Sequence, residues 1–185
     1  MGTKFIVKMG KIHVNSHPCQ HLFIREHLYS VMIYSFSFYR GNPYTSQDVA
    51  IAPDEGYFLF GSQNTQVHSY TLEGELLWIR DVGPVSSIAI SHDSEYILLG
   101  TSLHTPYLLD REGTILWEKT VTDAFFVDDI AISDHGEYCV VGMQKGSFLP
   151  LFAVQVYNTQ GILLWGYEAE HSFIAVTISD NGQLS

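Results

Sequence analysis

Residues 88–101 read IAISHDSEYILLGT, a pattern of two apolar runs about a polar turn. Ile88-Ala89-Ile90-Ser91 is a short, β-rich, apolar run, the kind buried inside a sheet. His92-Asp93-Ser94-Glu95 supplies turn residues, and Tyr96–Gly100 is a second β-rich run. The same order recurs along the chain. Residues 49–62 read VAIAPDEGYFLFGS, residues 130–143 read IAISDHGEYCVVGM, and residues 176–185 read VTISDNGQLS. The starts of these copies lie 39, 42 and 46 residues apart.

A second block follows each full copy. It reads LEGELLW at 72–78, REGTILW at 111–117 and TQGILLW at 159–165. In the middle copy Pro106–Asp110 is a third strand, Glu112-Gly113 a tight hairpin turn, and Thr114–Thr120 a fourth strand carrying Trp117. Four strands in about 40 residues, repeated, are the signature of propeller blades. A lone sheet of this kind cannot bury both faces, and stacking blade on blade does so. The expectation is therefore an all-β chain, a β-propeller of four-stranded antiparallel blades. Three blades are full (about 49–80, 88–120 and 130–167) and one is partial (176–185). A closed ring takes about four to eight blades, so this ring is incomplete. The chain is read as a fragment of a longer propeller, with two copies closing one ring as a homodimer the alternative.

The first block resembles the WD-repeat pattern. Val49-Ala50-Ile51-Ala52-Pro53-Asp54 leads into a strand ending in Gly61-Ser62. The Gly-His and Trp-Asp dipeptides of that family are absent, and Tyr70, Leu109 and Tyr157 stand where its tryptophan would be. Here the tryptophan follows the turn, as in Glu73-Gly74-Glu75-Leu76-Leu77-Trp78, and this is similar to the pyrroloquinoline-quinone-like (quinoprotein-like) repeat. That resemblance implies tryptophans that dock neighbouring blades. Together the two resemblances cover residues 49–185 and are specific for fold rather than function.

Trp78, Trp117 and Trp165 recur once per repeat and are expected to anchor packing rather than touch a ligand. Asp54, Asp93, Asp134 and Asp180 recur in one turn and are expected to shape it rather than act as catalytic acids.

The charge is uneven. The net charge is −11, with +4 in residues 1–40 and −15 in residues 41–185, which puts a boundary near residue 40. An acidic repeat region disfavours nucleic acid, whose phosphates call for clustered Lys and Arg. Residues 1–40 form an irregular N-terminal segment with no period, although 34–39 stands where a degraded outer strand of a preceding blade would fall. No stretch reaches the roughly 18–20 apolar residues of a membrane helix. The most apolar one, 22–39, contains Arg25, Glu26 and His27 and has no clean cleavage site after it. The expected protein is soluble and, by default, cytoplasmic. Cys19 and Cys139 form no CxxC pair and are expected to be free thiols.

Candidate chemistry is sparse. His13, His17, Cys19 and His21 carry zinc-ligand chemistry at a spacing that matches no zinc module, and an incidental histidine-rich stretch is the expectation. Asp123, Asp128 and Asp129 could take a hard cation, against the plainer reading of a solvated acidic loop. No nucleophile elbow, zinc-protease helix or phosphate loop is present. The expectation is no catalytic residue, no cofactor and no resident metal.

The repeats differ most in the third copy. Nine residue steps separate Gly61 from Tyr70 and Gly100 from Leu109, but fifteen separate Gly142 from Tyr157. The extra stretch includes Phe148, Leu149, Leu151 and Phe152. The link from Trp117 to Ile130 is also long and holds Asp123, Phe125, Phe126, Asp128 and Asp129. Both expansions should lie on one face beside blade three. These nine residues are the candidate partner-binding loops, weighed against an insertion that only lengthens its hairpin. A scaffold that binds a protein or peptide is the leading functional expectation. A relative of quinone-dependent dehydrogenases and a glycan-binding cell-surface propeller are the alternatives.

Overall fold

In the three full copies each apolar run of the repeat forms a strand and each turn cluster separates two strands; in the fourth copy residues 176–179 lie in no strand, and 180–185 fall outside the described residues. The computed structural model describes residues 21–23, 35–37, 46–62, 65–121, 124–145, 151–169 and 175–179. The chain divides into two units, residues 1–44 and 45–185. In the first, β1 (His21–Phe23) pairs antiparallel with β2 (Ser35–Ser37), with Leu22 opposite Phe36.

The second unit holds three four-stranded antiparallel sheets, each a meander in chain order. Blade one contains β3 (Ser46–Ile51), β4 (Phe58–Ser62), β5 (Gln66–Tyr70) and β6 (Leu76–Asp81). Blade two contains β7 (Val85–Ile90), β8 (Tyr96–Thr101), β9 (Tyr107–Asp110) and β10 (Ile115–Glu118). Blade three contains β11 (Ala124–Ile132), β12 (Cys139–Lys145), β13 (Leu151–Tyr157) and β14 (Leu163–Ala169). Among the described residues every regular element is a strand.

Strand alternation sends successive side chains to opposite faces, and both faces of a blade are needed. In β8, Ile97 and Leu99 turn to blade one, where they pack with Leu59 and Val67. Leu98 between them turns to blade three, where it packs with Cys139, Val141 and Tyr157. This explains why the inner strands read as unbroken apolar runs rather than as an alternation.

The inner strands begin three to six residues earlier than the repeat in the sequence suggests, because each carries a bulge. The register shifts at Ser46/Asp48, Val85/Ser87 and Val127/Asp129. After each shift Asp48, Ser87 and Asp129 pair with Gly61, Gly100 and Gly142. The bulged residues Gln47, Ser86 and Asp128 share no chemistry, so the device leaves no mark in the sequence.

The tryptophans of the first two blades dock on the next blade. The Trp78 indole donates from Nε1 to the Arg111 carbonyl (2.9 Å) and lies against Gly113. A methyl group on Gly113 would come within 2.6 Å of that ring. Trp117 lies against Gly161 in the same way, and a methyl group there would approach within 2.8 Å. Both glycines also have positive φ, 78° and 73°, so the hairpin turn and the docking site make the same demand. Trp165, the third of the set, is 39% exposed.

Candidate functional site

Meander topology places the β12–β13 connection and the start of β11 at the same end of blade three. The two expansions of the third repeat therefore converge. Much of each becomes strand rather than loop. β11 is nine residues long against six in β3 and β7, and β12 and β13 are seven residues each. The ladder aligns Ala124 with Lys145 and Lys145 with Leu151. One row in, Phe126 aligns with Gln144, Gln144 with Phe152, and Phe152 with Ala169. Backbone pairing alone thus puts Phe126 and Phe152 on one row across the sheet. A run of apolar residues beside an existing hairpin extends its ladder, because every added pair satisfies backbone N–H and C=O groups.

The candidate residues divide as follows. Phe125, Phe126 and Leu151 lie in β11 and β13 near this end. Phe152 is in β13 and 9% exposed, so it belongs to the packed part of the blade. Asp128 keeps much of its surface exposed at the bulge, and partial desolvation there, with the adjacent Asp129 charge, raises its pKa. Asp129 holds the next repeat, its Oδ2 accepting from the Val176 amide (2.8 Å). Asp123, Phe148 and Leu149 fall outside the described residues, as do His13, His17 and Cys19 of the histidine-rich stretch. His21 lies in β1. Among the described residues no three His, Cys, Asp or Glu side chains are placed to hold a metal ion. No helix among them is long and apolar enough to cross a membrane.

The opposite end of the blades, where β3 turns into β4 and β5 into β6, is built for holding blades together. Asp54 Oδ1 accepts from the Gly56 amide (2.9 Å), and Asp54 Oδ2 pairs with Arg111 of blade two (2.7 Å). Burial pushes the Asp54 carboxyl up, but the Gly56 amide and the Arg111 guanidinium outweigh it and hold its pKa below the usual carboxylate value. Arg111 also lies over the Tyr57 ring, 5.2 Å from its centroid. In blade two Asp93 accepts from Ser91 Oγ (2.6 Å) and faces His135 of blade three (3.0 Å). Burial is again outweighed, by the Ser91 hydroxyl and then His135, and the Asp93 pKa is lowered. These aspartates do turn and joint work.

The repeat pattern did not single out Asp48, which clamps blade one to blade two. Asp48 Oδ2 accepts from the Ile88 amide of blade two (2.7 Å), as Asp129 does from Val176. Burial, the largest influence, raises the Asp48 pKa against the pull of the Ile88 and Val49 amides. The signal was present, since Asp48 and Asp129 each sit one residue before a repeat start. Ser87 at the equivalent place hid it.

No protein-family profile matches the sequence, and no curated protein does. Solved structures do match in shape. The structure titled "Structure of U3-55K" aligns with a TM-score of 0.58 at 15% identity over 69% of this chain and 40% of that one. A crystal structure of the RRP9 WD40 repeats aligns with a TM-score of 0.58 at 15% identity over 69% of this chain and 39% of that one. The fold is a WD-like β-propeller fold. At this identity the likeness concerns fold alone, and the chain spans about two-fifths of the structures it matches. Its departures from the WD pattern have structural uses. Tyr157, at one position where that pattern has tryptophan, packs at 5.5 Å from the Trp117 ring, so the aromatic anchor has moved one strand outward.

Proposed function

We propose that this chain is a non-catalytic propeller-repeat protein that binds a protein or peptide through the expanded end of blade three, as part of a larger propeller. One observation carries this reading: two separate expansions of the third repeat converge on one end of one blade, with Phe125 in β11 and Leu151 in β13 at that end. Blades one and two have no such extension. An extra ladder with apolar residues at its open end is a place where a partner can bury surface. The net charge of −15 over residues 41–185 favours a polypeptide partner over nucleic acid. Asp48, Asp54, Asp93 and Asp129 are engaged in turns and joints, which favours the scaffold reading over a catalytic one.

The test is selection of binding peptides against the intact chain. Selected peptides should lose at least about tenfold in affinity when Phe125 and Phe148 are both replaced by serine. They should keep it in Leu77→Ser, a control on the exposed outer strand of blade one. Equal binding to all three folded proteins would defeat the proposal.

A further inference from the structure

The two joints between blades are sealed alike by apolar side chains and tied very differently by polar ones. At the joint between blades one and two, the Ile88 amide donates to Asp48 (2.7 Å) and Arg111 pairs with Asp54 (2.7 Å). The Tyr57 hydroxyl donates to the Ser94 carbonyl (2.9 Å), and the Asp54 amide to Ser94 Oγ (3.1 Å). Trp78 donates to the Arg111 carbonyl (2.9 Å), and Arg80 Nε to the Gly113 carbonyl (2.6 Å).

At the joint between blades two and three, most of these ties lack a counterpart among the described residues. Ser87 replaces the clamping aspartate. The Trp117 Nε1 is buried with no acceptor, where the Trp78 Nε1 has one. Thr159 stands at the place of Arg111, and its hydroxyl bonds within its own blade, to the Gly136 carbonyl (2.9 Å). What remains is Ser86 Oγ to the Val127 carbonyl (2.8 Å), the Asp93 amide to the Asp134 carbonyl (3.1 Å) and the exposed Asp93–His135 pair (3.0 Å).

We propose that blade three opens from blade two as a unit, before blades one and two part, so that the second joint is the hinge of the array. In a repeat protein stability is a sum of repeat and interface contributions, and the interface with fewer satisfied groups yields first. The buried Trp117 N–H adds to the difference, because it gains a water partner on opening. This opening belongs to the chain without a partner and does not depend on the proposed binding role.

Buried thiols at the two joints report the opening of each. Cys139 is fully buried in the apolar cluster between blades two and three. Val67 is fully buried at the first joint. Alkylation of Cys139 in a Cys19→Ser chain is compared with alkylation of Val67→Cys in a Cys19→Ser, Cys139→Ser chain, under native conditions. Cys139 should react at least about tenfold faster, the equivalent of one to two hydrogen bonds. Ser87→Asp, which gives the Ile130 amide the carboxylate that Ile88 has, should slow Cys139 by about tenfold. Asp48→Ser should speed the Val67→Cys thiol by a similar factor, a readout that holds even where Ser87→Asp fails to fold. Equal or faster labelling at the first joint would overturn the proposal, as would no response to either substitution.

Discussion

Trp117 and Trp165 occupy one position of the repeat and have opposite surroundings. Trp117 is 7% exposed and packed between Gly161 and Tyr157, whereas Trp165 is 39% exposed. Truncating a buried aromatic residue costs about 3–5 kcal/mol, while an exposed one costs a fraction of that. Trp117→Ala should therefore lower the urea midpoint severely and Trp165→Ala only slightly. Similar losses from the two would mean that this chain buries Trp165 as it does Trp117. Gly113→Val should cost about 2–4 kcal/mol, since it combines a strained positive φ of 78° with an atom placed against the Trp78 ring. Gly74→Ala, in the equivalent turn of blade one at φ 89° but exposed, isolates the backbone cost and should lose about 1–2 kcal/mol. Chemical denaturation of the two variants separates conformational strain from packing.

At the scale of elements, the joints carry a pH signature. Asp54 has a folded pKa below its ordinary value of 3.8, so its stabilising contribution is present above that value and is lost as pH falls through the lower folded one. Asp48 has the opposite sign. Its folded pKa is raised, so its contribution is greatest in acid and declines as pH rises past the ordinary value. Asp54 and Arg111 side chains are both about a third exposed, at 37% and 34%, so solvent screens the pair and its contribution stays under about 1 kcal/mol. Arg111→Met should flatten the acid limb of a stability-against-pH curve by no more than that. A larger loss of stability at neutral pH would show that Arg111 matters through its packing on Tyr57 instead.

Strands and turns were legible because their chemistry repeats. Turn residues flank Tyr57, Tyr96 and Tyr138, and a glycine before each outer strand marks a left-handed turn. The bulges were not legible, since any residue can be the extra one. The long stretches of the third repeat read as loops because spacing counts residues without saying whether they pair. Lys145, Leu151 and Ala124 showed a longer ladder only once register was known. His135 standing where Asp54 and Asp93 stand also escaped notice, although it changes an aspartate-to-arginine joint into an aspartate-to-histidine one.

On the scale of the whole molecule, three similar blades differ in what they offer a partner. The outer strands all show apolar side chains, such as Leu76, Leu116 and Leu164, so exposure there does not single out one blade. Only blade three has lengthened inner strands and a longer middle hairpin, and the proposed binding role rests on that asymmetry. The most direct measurement places a photoactivatable phenylalanine analogue at Phe125, Phe148 or Leu77 in turn and illuminates each protein with a selected peptide bound. Crosslinks are expected from the first two positions and none from Leu77. Crosslinks from Leu77 alone would contradict it and move the binding surface to the outer rim.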